Sequence, residues 1–91
     1  MNLYTIIFEF KGGTYIEQKL AKDETNALLI WSQELEIKTI KHMGKKVKDK
    51  IIEKIEKDIK EYPPVLLSNC RNVWCAGIYC SGLVNIIKTE N

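Results

Sequence analysis

The sequence predicts an α+β domain: a two-layer sandwich in the order β-β-α-(short α)-α-β-β, with one mostly antiparallel four-stranded sheet packed by helices. Three observations carry that expectation. Apolar-rich, strand-like runs lie near both ends of the chain, and each is reversed by a turn containing glycine. Isoleucines recur at every fourth position in the middle, the spacing of one helix face. Pro63-Pro64 then closes the helical stretch, because neither proline can donate the next backbone hydrogen bond. With 91 residues the chain forms a single domain, 1–91, able to bury about 60–65% of the surface its unfolded chain exposes.

Residues 3–10 alternate as a strand, with Tyr4, Ile6, Phe8 and Phe10 on the stronger core face and Thr5, Ile7 and Glu9 on the other. Gly12-Gly13 supplies the positive φ angles of a tight reversal into a second strand, Thr14 to Ala21. A two-residue turn at Gly12-Gly13 would set Glu17 opposite Phe8 and Lys19 opposite Ile6. A three-residue loop, Lys11-Gly12-Gly13, would instead pair Phe8 with Ile16 and Tyr4 with Leu20, so the apolar pattern favours the longer loop.

Asp23 suits an N-cap, since its carboxylate can accept from free amides at a helix start, and Glu24 adds favourable charge there. Ala27, Leu28, Trp31 and Leu35 then form a helical stripe, which Leu29 and Ile30 widen enough to call for a second covering element beside the sheet. A short helix before Gly44 leads to a long one, expected to run continuously over 45–61, with Val47, Ile51, Ile55 and Ile59 at four-residue intervals and Ile52 and Tyr62 beside them. Glu53 with Lys57 and Glu56 with Lys60 are spaced for exposed ion pairs worth about 0.3 kcal/mol each.

A loop over 64–72 precedes a strand over 73–80, and Ser81-Gly82 reverses the chain into a last strand over 83–89. This second hairpin is apolar on both faces, which suits the middle of a sheet or a covered surface.

Composition is that of an ordinary soluble globular protein, 45% apolar and 29% charged. The apolar run 3–8 is short, lacks a basic lead-in and breaks at Glu9, unlike an export signal. No window approaches the roughly 18 apolar residues of a membrane helix. The expected compartment is the cytoplasm, and Cys70, Cys75 and Cys80 are expected there as reduced, small buried side chains. Their five-residue spacing differs from that of zinc knuckles, so no metal or cofactor is expected. No glycine-rich phosphate loop, serine elbow or dinucleotide fingerprint occurs, and no catalytic residue is assigned. A thiolate activated by the single histidine, His42, would need the fold to bring it to a cysteine.

Residues 40–52 carry the one motif-like segment. Met43, Gly44, Ile51 and Ile52 resemble the helix-hairpin-helix motif in its apolar turn residue, second glycine and packing aliphatics. His42 stands in place of the motif's first glycine, and Lys48 in place of its small packing residue. The resemblance implies that backbone amides at the second helix's start would grip a nucleic-acid phosphate. Between Lys38 and Lys60, nine lysines face four acids, so that span carries +5 in a chain of net charge +2. Lys41, Lys45, Lys46 and Lys48 would therefore bind a polyanion or an acidic partner. Lysines on a solvated helix are commonplace, however, and arginine, the better phosphate ligand, occurs only at Arg71.

Trp74, Ile78 and Tyr79 would form a protein interface if one face of the second hairpin stayed uncovered. The leading expectation is a non-catalytic protein-binding domain of bacterial immunity or antitoxin type, occluding a protein partner such as a toxin or pairing with a second copy. The alternative is nucleic-acid backbone binding through the Gly44 turn and the lysine-rich helix. No membrane partner is expected.

Overall fold

In the computed structural model, which describes residues 1–79 and 82–90, the first hairpin joins β1 (Asn2–Phe10) to β2 (Gly13–Ala21) through Lys11 and Gly12 alone. Their φ angles are +46° and +83°, the left-handed pair that matches the twist of a two-residue hairpin. Phe8 therefore faces Tyr15, and Tyr4 faces Lys19. This corrects the three-residue loop and its pairing of Phe8 with Ile16 and Tyr4 with Leu20. The register is held from the core side: the Tyr15 ring lies 6.3 Å from that of Phe8, and its hydroxyl accepts from the Lys41 amide at 3.1 Å. Gly13 makes room for that ring, since a Cβ there would lie 2.6 Å from the Tyr15 oxygen. Ile16 and Leu20 consequently point to the opposite side.

Helix α1 (Glu24–Gln33) starts as the sequence predicts, with the Asn26 amide donating to Asp23 Oδ1 at 2.7 Å. Ala27, Leu28, Trp31 and Leu35 are buried, and the Trp31 ring meets Phe8 edge-on at 4.9 Å. The short helix is a single 3-10 turn, Ile37–Thr39. Helix α2 (Lys45–Asp58) then buries Ile51 and Ile55 and packs beside α1, the second cover that the width of the α1 stripe required. It ends at Asp58 rather than at residue 61, and the turns that follow leave Tyr62 exposed, away from the stripe. The ion pair on α2 is Lys54 with Asp58 at 2.8 Å, rather than Glu53–Lys57 or Glu56–Lys60.

The expected loop over 64–72 holds a short strand, β3 (Val65–Leu66), which pairs with β4 (Val73–Ile78); β4 in turn pairs with β5 (Gly82–Glu90). The sheet thus has five antiparallel strands, not four, in the order β2-β1-β5-β4-β3. The two terminal hairpins join through β1 and β5. Ser81 of the expected second turn lies outside the described residues.

One sheet face, carrying Tyr4, Ile6, Phe8, Phe10, Val84, Ile86 and Ile78, forms a single core with α1 and α2. No described helix is long and apolar enough to cross a membrane.

Candidate functional site

Because side chains alternate along a strand, burying Tyr4, Ile6, Phe8 and Phe10 fixes what the other face presents. The pairing aligns that face into rows. One runs Ile16, Ile7, Asn85, Cys75, Val65 across all five strands, and the next runs Gln18, Thr5, Ile87, Val73. Leu20 beside Leu3 closes one end, and Thr14, Glu9, Leu83 and Gly77 close the other.

None of these side chains belongs to the core or packs against it. Ile16 is 63% exposed, Leu20 61% and Val65 65%; Leu3, Ile7, Val73, Cys75 and Ile87 are half-buried only by their neighbours within the sheet. The charged side chains of this face among the described residues are Glu9 and Glu90, both near its ends. Three of its polar side chains bond to one another. Gln18 Nε2 donates to Thr5 Oγ1 at 3.0 Å, Thr5 shares a hydroxyl hydrogen bond with Thr89, and Thr89 donates to the Ile87 carbonyl at 3.2 Å. An antiparallel sheet with one solvated face normally turns polar residues outward. Here about half of the outward residues are aliphatic, Leu3, Ile7, Ile16, Leu20, Val65, Val73, Leu83 and Ile87, which makes this face the candidate interaction surface.

The residues nominated for a protein interface lie elsewhere. Trp74 and Ile78 sit on the helix-covered face: the Trp74 ring contacts Tyr4 edge-on at 6.3 Å, and Ile78 is 6% exposed. Tyr79 reaches the surface at the mouth of a groove of about 350 Å³ between the C-terminal part of α2 and β4, floored by Ile55, Ile59 and Ile78. The uncovered face of the second hairpin is the one bearing Val73, Cys75, Leu83 and Ile87.

The lysine set is also divided. Lys41, Lys45 and Lys46 are exposed around the start of α2, where Gly44 is the N-cap, in extended geometry at φ −105° and without a side-chain cap. The left-handed residue of that turn is His42, at φ +63°. Lys48 is committed to the fold, because its ammonium donates to the Leu35 carbonyl at 2.8 Å just past the end of α1.

Cys70 is exposed and Cys75 half-exposed on the open face, which corrects the expectation that they are buried; Cys80 lies outside the described residues. His42 sits beside the β1–β2 turn, whereas Cys75 lies three strands away from β2, so the two are not brought together. Among the described residues no group of acids, histidine and cysteines has metal-binding geometry.

The Gly12-Gly13 pair does not disclose the open face, because the turn forms at Lys11-Gly12 and carries Ile16 and Leu20 to the other side. The usable signal was the apolar second face of the last hairpin, together with Ile7 on the weaker face of β1. No protein-family model, no curated protein and no solved structure matches the chain.

Proposed function

We propose that this chain is a non-catalytic protein-binding domain whose interface is the uncovered face of its sheet. The observation that carries the reading is the row Ile16–Ile7–Asn85–Cys75–Val65: three aliphatics with no charge among them, open to solvent in a chain that is 29% charged. Such a face contributes to binding by burial rather than by charge, and the hydrogen bonds among Thr5, Gln18 and Thr89 lower the cost of covering them. The specific form of the proposal is a bacterial immunity or antitoxin-type protein that occludes a toxin. Co-expression with the products of neighbouring genes should yield a defined complex that persists at high salt. Ile16→Lys with Leu20→Lys should abolish it, while Lys45→Glu with Lys46→Glu should leave it intact. A complex sensitive only to the lysine reversals would refute the assignment of the interface.

A second reading, nucleic-acid backbone binding, draws support from the uncapped start of α2 beside Lys41, Lys45 and Lys46. It requires DNA or RNA affinity that falls steeply with salt and disappears on reversal of Lys45 and Lys46. Absence of binding in dilute salt rules it out.

A further inference from the structure

We infer that the open sheet face is covered by a second copy of this chain, the two sheets stacking face to face across a two-fold axis. The inference rests on the protein-binding reading above and names a second copy, in place of a toxin, as the occupant of that surface.

Area is the first argument. Strands of nine, nine, nine, six and two residues make up the sheet, and each strand residue covers about 16 Å² in projection, giving about 550 Å² per copy. With the two faces fully overlapped, two copies would therefore remove about 1,100 Å², just above the roughly 1,000 Å² that a specific interface needs. The chain's accessible surface is 5953 Å², against about 5,400 Å² expected for a compact monomer of 10.5 kDa. The excess is of the size that pairing would bury from one copy.

Charge is the second. A protein of net charge +2 with a +5 segment at residues 38–60 meets self-repulsion if it pairs through its helices. Stacking through the open faces places the two helix layers on the outside, roughly 30 Å apart, several Debye lengths at physiological salt. The centre of the contact carries no charge, and its acids, Glu9 and Glu90, lie near its ends. Because each copy has one such face, the pairing closes at two.

Sedimentation equilibrium over ~1–100 μM, the range in which interfaces of this size associate, should show a mass approaching twice the 10.5 kDa of the chain. Ile16→Lys with Leu20→Lys should return it to the monomer while circular dichroism stays unchanged. The wild-type thiols supply a second readout that needs no substitution: Cys75 lies on the face and Cys70 is exposed in the β3–β4 connection. Alkylation of Cys75 should slow about tenfold once nine-tenths of the chain is paired, with Cys70 unaffected. A wild-type monomer throughout, or a dimer that survives both lysine substitutions with Cys75 freely reactive, overturns the inference. A monomer that still forms a salt-stable complex with a neighbouring gene product overturns the second copy but leaves the protein-binding reading standing.

Discussion

Replacing Lys48 by methionine separates a structural lysine from a binding one. Lys48 Nζ lies 2.8 Å from the Leu35 carbonyl, in a partly buried contact that ties the first turn of α2 to the chain leaving α1. Methionine keeps most of the aliphatic stem and removes the donor. A hydrogen bond from a charged group contributes about 1.5–3 kcal/mol when buried; partial access of water at this site lowers the expected loss to about 1–1.5 kcal/mol. At about 4–8 °C per kcal/mol for a domain of this size, the midpoint of thermal unfolding should fall by about 5–10 °C. Fluorescence of Trp31, 1% exposed in the core, reports the transition. Lys46→Met is the control: Lys46 is exposed, and its loss should stay within about 0.5 kcal/mol. Equal midpoints for the two variants would refute the reasoning and return Lys48 to the set of free surface cations available to a phosphate.

Asp23→Ala should cost about 1 kcal/mol in urea unfolding, because the Asn26 amide loses its acceptor. Gly12→Ala should cost about 1 kcal/mol although nothing lies within 4 Å of the added methyl, since φ is +83° there. Lys11→Asn, at φ +46°, should raise stability by a few tenths of a kcal/mol, because asparagine tolerates that conformation better. The Lys19 pKa is raised above 10.5, chiefly by its hydrogen bond to Glu34, with the Glu17 charge adding to it and burial opposing it. The contribution of that pair is therefore complete below pH 10.5 and is lost as pH rises through the folded-state value. At this half-exposed site it amounts to less than about 1 kcal/mol, and Lys19→Met should flatten the alkaline limb of a stability-against-pH curve.

The elements were legible wherever one local signal sufficed. Asp23 capping α1, the four-residue isoleucine spacing of α2 and the alternation from Tyr4 to Phe10 each depend on neighbours within a turn or two, and each stands where the sequence put it. What failed depended on partners distant in sequence. The apolar pattern favours a register that sets Ile16 and Leu20 opposite Phe8 and Tyr4 on the helix-covered face. The helix side of β2 is instead occupied by Tyr15 against Phe8 and by Lys19 held to Glu34, a partner supplied by α1. Strand β3 leaves no signal in the sequence, because two residues between a proline pair and a loop show no period, and its pairing is dictated by β4. The placement of Trp74 and Ile78 has a related cause: both are apolar, but only the packing of Tyr4 and the helices decides which side of β4 is covered.

The edges of this sheet explain why association should use a face. An edge strand presents unpaired backbone groups that invite open-ended pairing, and proteins blunt edges with charge, proline or brevity. Both outer strands here carry such devices. β2 has Glu17 and Lys19 along it, and β3 is two residues long directly after Pro63-Pro64. No such device protects the face between them, where Ile16 and Leu20 stand in place of the polar residues a solvated sheet would carry. Blunted edges beside an aliphatic face restrict the chain to contacts that terminate, because a face can be covered once whereas an edge can be extended repeatedly. Lys19→Val, which removes an edge charge and leaves Glu34 without its partner, should therefore raise turbidity and produce fast-sedimenting species on prolonged incubation. Ile16→Lys should lower the mass of the assembly without producing aggregates. If both variants behave alike in sedimentation velocity, edge and face are not distinguished by the fold, and the argument from blunted edges fails.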